Sequence, residues 1–479
     1  MKKSFSIILL FVICLGGFQG CQTDDSNHVP KNIRIQDFVW KGMNLYYLWQ
    51  EDSPDLADDR FANQSDLNDW LTTKNDPIQL FQDLRIDNSI DRFSVIYSDY
   101  RVLEGILSGT TKNNGVDFGL RYKSGSTTEI FGWVRYILPN SDASDKNIAR
   151  GDIFYAVNGT PLTVDNYQEL LANETYTLNL ADYDNGNITP NGESVSLTKE
   201  VLSENPVYEN TVIEVGTHRI GYLMYNGFYP NYDLALNHAF GNLKSQNITD
   251  FVLDLRYNSG GSIRTASYLA SMITGQFTGQ VFAREQWNPK LQDYYNDHNP
   301  ENLINRFVND IDGNSINKLN MTTVYILTSR STASASELLI NGLEPYVNVV
   351  VIGDVTTGKN VGSITLYDSA SFDKEGADKT HFYAMQPIVL KTVNGAGFGD
   401  YFNGLTPDNA LLENLSNMGE LGDANEPLLS TAIGLITGDG RRLPQNPEKT
   451  FTHFKDSKSL DGLRDQMFTD KRANLPVRF

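Results

Sequence analysis

The chain has 479 residues, 40% of them hydrophobic and 11% aromatic, with 39 Lys and Arg against 59 Asp and Glu for a formal charge of −20. That is too long for one ordinary domain and apolar enough to build real cores, which argues against a disordered chain. No basic stripe interrupts the acidity, so nucleic acid is not expected as a partner.

The first residues read as a targeting segment. Lys2 and Lys3 precede an apolar run from Ile7 to Phe18, too short to span a bilayer and suited to a signal-peptide core. The run ends in "FQGC", which resembles a bacterial lipobox with Phe18 at the position where Leu is usual. The resemblance implies cleavage before Cys21 and its lipidation, with residues 1–21 as the signal peptide. Cys14 would leave with the signal, so the mature chain has no disulfide. Its charge without Lys2 and Lys3 is 37 − 59 = −22, which suits a body held at a membrane by its lipid rather than by charge. "QTDDS" after Cys21 resembles surface-export signals of Bacteroidetes lipoproteins, so the expected location is the envelope of a Gram-negative bacterium.

Residues 22–110 read as a helical region. "QDFVWKGMNLYYLWQ" spaces Phe38, Met43, Leu45 and Leu48 near a helical period with Trp40 and Trp49 beside them, a stripe better explained as core than as a ligand box. Residues 111–201 change to short strands and turns, "GVDFGLRY", "IFGWVRYIL", "GDIFYAVNG" and "TYTLNLADY", with "TVDNYQELLA" as an intervening helix. This order resembles a PDZ domain. It implies a groove at Val116, Asp117, Phe118, Gly119 and Leu120, where a peptide adds as a strand and backbone amides capture its carboxylate. Residues 202–440 alternate buried-type strands with helices, the pattern of α/β layers. Residues 441–479 are polar and poorly periodic and are expected to form a peripheral tail.

Three stretches in the α/β part invite a chemical reading. "DFVLDL" is followed by "RYNSGGS", "TTVYILT" by "SRSTASASE", and "VNVVVIGD" by "VTTGKNVG". If the strands are parallel, the three loops emerge at one carboxyl edge, where open α/β sheets place their sites. Ser334, Lys359 and Gly261 would then share a pocket. Gly260 and Gly261 leave amides free to face an oxyanion, Ser334 starts a helix, and Lys359 stands in a loop poor in acids. A buried lysine without a counter-ion loses affinity for its proton and can serve as a base. Taken singly, the features are better explained by a helix cap, a turn and a solvated lysine. No GxSxG elbow, HExxH helix, phosphate loop or dinucleotide fingerprint occurs, and no cofactor or metal is implied.

In this order "DLRYNSGG", "TSRSTASASE" and "GDVTTGKNVGS" resemble the C-terminal processing (tail-specific) proteases of peptidase family S41. The resemblance implies a multidomain α+β chain with a helical N-terminal region, a PDZ-like module and an α/β (ClpP/crotonase-like) protease core. It implies a serine endopeptidase with Ser334 as nucleophile and Lys359, 25 residues later, as base. Ala335 and Gly261 would supply the oxyanion amides, and the substrates would be protein or peptide tails. Many members carry Gln or Glu four residues after the lysine. This chain has Ser363 there, which would take over the orienting role. The competing readings are an inactive peptide- or ligand-binding envelope lipoprotein on the same fold, and an envelope scaffold.

Overall fold

The computed structural model describes residues 28–184, 186–439, 452–462 and 464–471. The apolar run Ile7–Phe18 and Cys21 lie outside the described residues.

The N-terminal region is helical, and its helices start where local chemistry dictates. Helix Gln64–Leu71 is capped by Asn63, whose side chain accepts from Asp66 N at 3.1 Å. Helix Pro77–Leu84 is capped by Asp76, with Pro77 in the first turn where no N–H is needed. The stripe of helix Arg34–Tyr46 is core, as read from the sequence: Phe38, Val39, Trp40 and Met43 are buried. That core is not the region's own. The helices share one apolar cluster with Leu253, Leu269, Ile326 and Leu339 of the α/β part. Strand Val95–Tyr97 pairs antiparallel with Ala384–Gln386, which ties the two regions by backbone as well.

Residues 116–198 form a β module with a separate core that includes Val116, Phe118, Leu120, Phe154, Leu178 and Leu197. Gly119 must be glycine, because a Cβ there would stand 2.1 Å from the Trp133 ring on the paired strand. The helix expected at "TVDNYQELLA" runs Tyr167–Ala172, and the expected strands are present.

The α/β part is built on a sheet in the order Val207–Val215, His218–Tyr225, Asp250–Asp254, Thr323–Thr328, Asn348–Gly353, Asn409–Ala410. Every pairing after the first is parallel. Both faces are buried, which is why these strands read as continuous apolar runs. Leu223, Leu253 and Ile326 face helices Asp233–Ser245, Ile263–Thr274 and Ala335–Leu343. Tyr222, Val252, Leu327 and Ile352 face helix Pro427–Thr437.

A second sheet stands beside the first in the order Gly260–Ser262, Gln466–Phe468, Val361–Ser363, Ile388–Asn394, Val281–Trp287, Ile304–Arg306. Its second strand comes from the C-terminal segment. The described part of that segment is therefore not peripheral: Asp465, Gln466, Met467 and Phe468 are all buried. Polar composition hid this, because the segment is held by backbone pairing and by charge rather than by an apolar period.

Candidate active site

The three loops meet at the carboxyl edge of the parallel sheet. Strands Asp250–Asp254, Thr323–Thr328 and Asn348–Gly353 are neighbours, with Val252 opposite Tyr325 and Tyr325 opposite Val350. Loop-to-loop bonds fix their ends. Thr332 Oγ1 donates to Leu255 O at 2.9 Å, Ala333 N to Asn258 O at 3.1 Å, and Thr357 N to Thr332 O at 2.9 Å. Gly260 lies so close to the serine loop that a Cβ on it would stand 2.6 Å from Ser334 Cβ, and its φ of 102° suits only glycine.

Ser334 precedes helix Ala335–Leu343 with φ 62° and ψ −115°, a strained backbone for a non-glycine residue. The surrounding bonds hold it there. Ser334 N donates to Glu337 Oε2 at 2.8 Å, half of a capping box, while the hydroxyl turns away from the helix. It donates to Asp465 O at 2.7 Å, and Lys359 Nζ donates to that same oxygen at 2.6 Å. Two side chains 25 residues apart in sequence thus converge on one peptide carbonyl.

Lys359 is 1% exposed and Ser334 0%. Burial pulls the lysine down to about 8, with Asp465 and Asp91 opposing and Arg92 assisting. The ammonium sits 4.6 Å above the Phe93 ring. Arg92 is itself fixed through a bond to Gly358 O and by stacking on Phe402. The helical N-terminal region therefore reaches into the site through residues 91–93.

Glu337 joins the serine loop to the lysine loop. Besides Ser334 N, its carboxylate accepts from Lys359 N at 2.8 Å, from Gly358 N at 2.6 Å and from Thr356 Oγ1 at 2.5 Å. Desolvation raises its pKa while these bonds lower it, and burial prevails. Sequence reasoning passed over Glu337, although a glutamate three residues past a helix-start serine is a readable capping signal.

Of the residues singled out from sequence, Ser334, Lys359, Gly261 and Ala335 are brought together here. Ser363 is nearby but serves another bond: its hydroxyl donates to Met467 O at 3.1 Å and accepts from Gln386 Nε2 at 3.0 Å, while Lys359 Nζ bonds Asp465 O. The expected orienting contact to the lysine is replaced by one to the C-terminal strand. In the β module, Val116, Phe118 and Leu120 point into the core, so it is the backbone of Val116–Tyr122 that forms an edge. That edge is paired antiparallel with His453–Asp456, and Asp117 Oδ2 accepts from Ser457 Oγ at 2.7 Å.

The fold and the sequence find counterparts among known proteins. Residues 219–371 match the family model described as peptidase family S41, and residues 34–95 match the peptidase S41 N-terminal domain. Residues 219–371 thus form a peptidase family S41 domain, preceded by an S41 N-terminal domain. A putative S41 protease from Bacteroides fragilis superposes with a TM-score of 0.64 at 27% identity, over 84% of this chain and 98% of that one. The photosystem II D1 C-terminal processing protease superposes with a TM-score of 0.50 at 20% identity, over 84% of this chain, a likeness of fold. In sequence, the chloroplastic C-terminal processing peptidase of Tetradesmus obliquus is 26% identical over 272 residues, 54% of each chain. Carboxyl-terminal-processing peptidase 2 of Arabidopsis thaliana is 28% identical over 254 residues, 51% of this chain and 45% of its own. The chain thus spans about half the length of the curated relatives it matches. Among the described residues, no helix is long and apolar enough to cross a membrane.

Proposed function

We propose that this protein is a serine endopeptidase in which Ser334 attacks the substrate carbonyl and Lys359 is the general base. The observation that carries this reading is the shared carbonyl oxygen, 2.7 Å from Ser334 Oγ and 2.6 Å from Lys359 Nζ. A nucleophile and a base thus reach one peptide group, the two parts that acyl transfer needs. The neutral lysine takes the hydroxyl proton as Oγ bonds to the carbonyl carbon. The amides of Ala335 and Gly261 receive the oxyanion. Collapse expels the amine, which takes the proton back from Lys359, and water activated by the same lysine then releases the acyl group from Ser334.

The backbone edge of Val116–Tyr122, which already accepts His453–Asp456 as an added strand, supports docking of substrate tails in the same way in the PDZ-like module. Peptides with a free, apolar C-terminus are then cleaved with a lower KM than their amides, because amidation removes the charge that backbone amides would hold. Equal constants for acid and amide would remove tail reading from the account. Anchoring through a lipid on Cys21 in a Gram-negative envelope completes the reading; mass spectrometry of the mature N-terminus checks it.

Cleavage of unfolded β-casein by the wild type and Ser334→Ala tests the proposal. The variant should lose cleavage and keep its fold, because the hydroxyl does not cap the helix and its loss removes a single hydrogen bond worth about 1 kcal/mol. A Ser334→Ala protein that cleaves at the wild-type rate would overturn it.

A further inference from the structure

Both proposed substrate sites are filled by one stretch of this chain. His453–Asp456 adds as a strand to the edge Val116–Tyr122. Phe454 lies between Tyr122 and Tyr167, each ring 5.2 Å away, where a groove would seat a side chain. Farther along, Gln466–Phe468 runs parallel to Gly260–Ser262 on one side and to Val361–Ser363 on the other. Gln466 N donates to Ser259 O at 2.7 Å, and Thr469 N to Ser363 O at 3.1 Å. Without this strand the two flanking strands would stand two strand spacings apart, roughly 9–10 Å, an open slot one extended chain wide.

The pose at the dyad is peptide-like but unproductive. The Asp465 carbonyl oxygen accepts from Ser334 Oγ and Lys359 Nζ. For acyl transfer that oxygen must face the oxyanion amides and present its carbon to Oγ. Asp465 also has a φ of 60°, which breaks the extended form at the very residue that meets the dyad. Ser334 and Lys359 are sealed beneath it.

Charge holds the segment down. The Asp456 carboxylate lies 2.9 Å from Arg464, 3.3 Å from Arg135 of the β module and 3.0 Å from the hydroxyl of Ser331, three residues before Ser334. Lys458 Nζ donates to Asn226 O at 2.9 Å. One carboxylate thereby ties the docking module, the serine loop and the segment together.

We propose that the slot between Gly260–Ser262 and Val361–Ser363 is the binding site for an extended peptide, and that the C-terminal segment is its resident ligand, an intramolecular pseudosubstrate displaced when substrate enters. This rests on the peptidase reading of the same site. Being tethered, the segment competes at high effective concentration, and the affinity of an incoming chain is reduced by the fraction of molecules that are open.

A reversible lock on the full chain tests this. Ser262 and Phe468 are paired across the slot, so Ser262→Cys/Phe468→Cys places two thiols at a separation a disulfide can bridge. With β-casein as probe, the reduced protein should cleave, the oxidised form should lose at least tenfold, and dithiothreitol should restore the rate. Equal rates in both redox forms would overturn the proposal. Met467→Asp, which puts a charge on a buried residue of the segment, provides a second reading. It should raise kcat/KM about tenfold over wild type, and a folded Met467→Asp protein no faster than wild type counts against the proposal. The same lock in a Ser334→Ala background, read by anisotropy of fluorescent β-casein, separates the two readings. Binding that depends on reduction, without cleavage by any form, keeps the pseudosubstrate and removes the peptidase. Intact mass closes the test: a wild-type chain cut after Asp465 and an uncut Ser334→Ala chain would make the segment a substrate and overturn the inhibitory role.

Discussion

The properties of Lys359 follow from where it is buried. An ammonium in a dry site with a backbone carbonyl as its only hydrogen-bond partner among the described residues is poorly compensated, so its proton is lost near pH 8 rather than 10.5. The stability sign follows from linkage. The unfolded state binds a proton between about 8 and 10.5 where the folded state does not, so stability rises with pH across that window. Below it the cost of the buried charge is fully present. Lys359→Met should therefore stabilise the protein at pH 7, by about 1–3 kcal/mol, while removing cleavage. Urea unfolding at pH 7 and pH 10.5 checks this: the gain should shrink at the higher pH, and a destabilised variant at pH 7 would show that the lysine is held as a satisfied cation. At this scale the sequence was informative about which loops meet, and so about the nearness of Ser334 and Lys359. It was silent on Arg92 and Arg135, whose roles arise only when distant loops are folded together, whereas the capping signal of Glu337 was readable.

At the scale of elements, Glu337 decides whether the site exists. Its carboxylate accepts four donors from the two loops, so the serine and the lysine are positioned by one group. Glu337→Gln puts an amide N–H against donors that need acceptors. Leaving buried donors unmet costs about 1–3 kcal/mol each, so the variant should lose roughly 2–4 kcal/mol of stability together with activity. Thermal unfolding and kcat measured on the same preparation check this. Full activity in Glu337→Gln would show that the loops are fixed without it. The parallel strands were legible because burial on both faces leaves an unbroken apolar run, and parallel neighbours dictate which loops share an edge. The helical N-terminal region was legible as helices but not as part of the protease core. Periodicity reports which face of a helix is buried, and not against what.

At the scale of the whole molecule, the C-terminal segment is where sequence reading failed. A short strand inserted between two others needs no apolar period, and its charged residues read as solvated until their partners Arg135 and Ser331 are brought within reach. The buried network also makes a prediction. Removing one partner of a buried charge pair costs about 3–5 kcal/mol, and here much of that loss should fall on docking of the segment. Asp456→Asn is expected to raise basal cleavage of β-casein and to increase hydrogen exchange at Gln466 and Thr469, whose amides bond across the slot. Unchanged exchange at those amides would show that the network stabilises the β module alone.

The dyad itself is tested most directly by the pH dependence of kcat/KM on one peptide, for the wild type and Lys359→Arg. The account predicts a rising limb in the wild type with an apparent pKa near 8, where burial places Lys359. It predicts no turnover in Lys359→Arg, because a guanidinium keeps its proton and cannot accept one from Ser334. Substantial turnover by Lys359→Arg, or a wild-type limb that a histidine substitution abolishes, would contradict it.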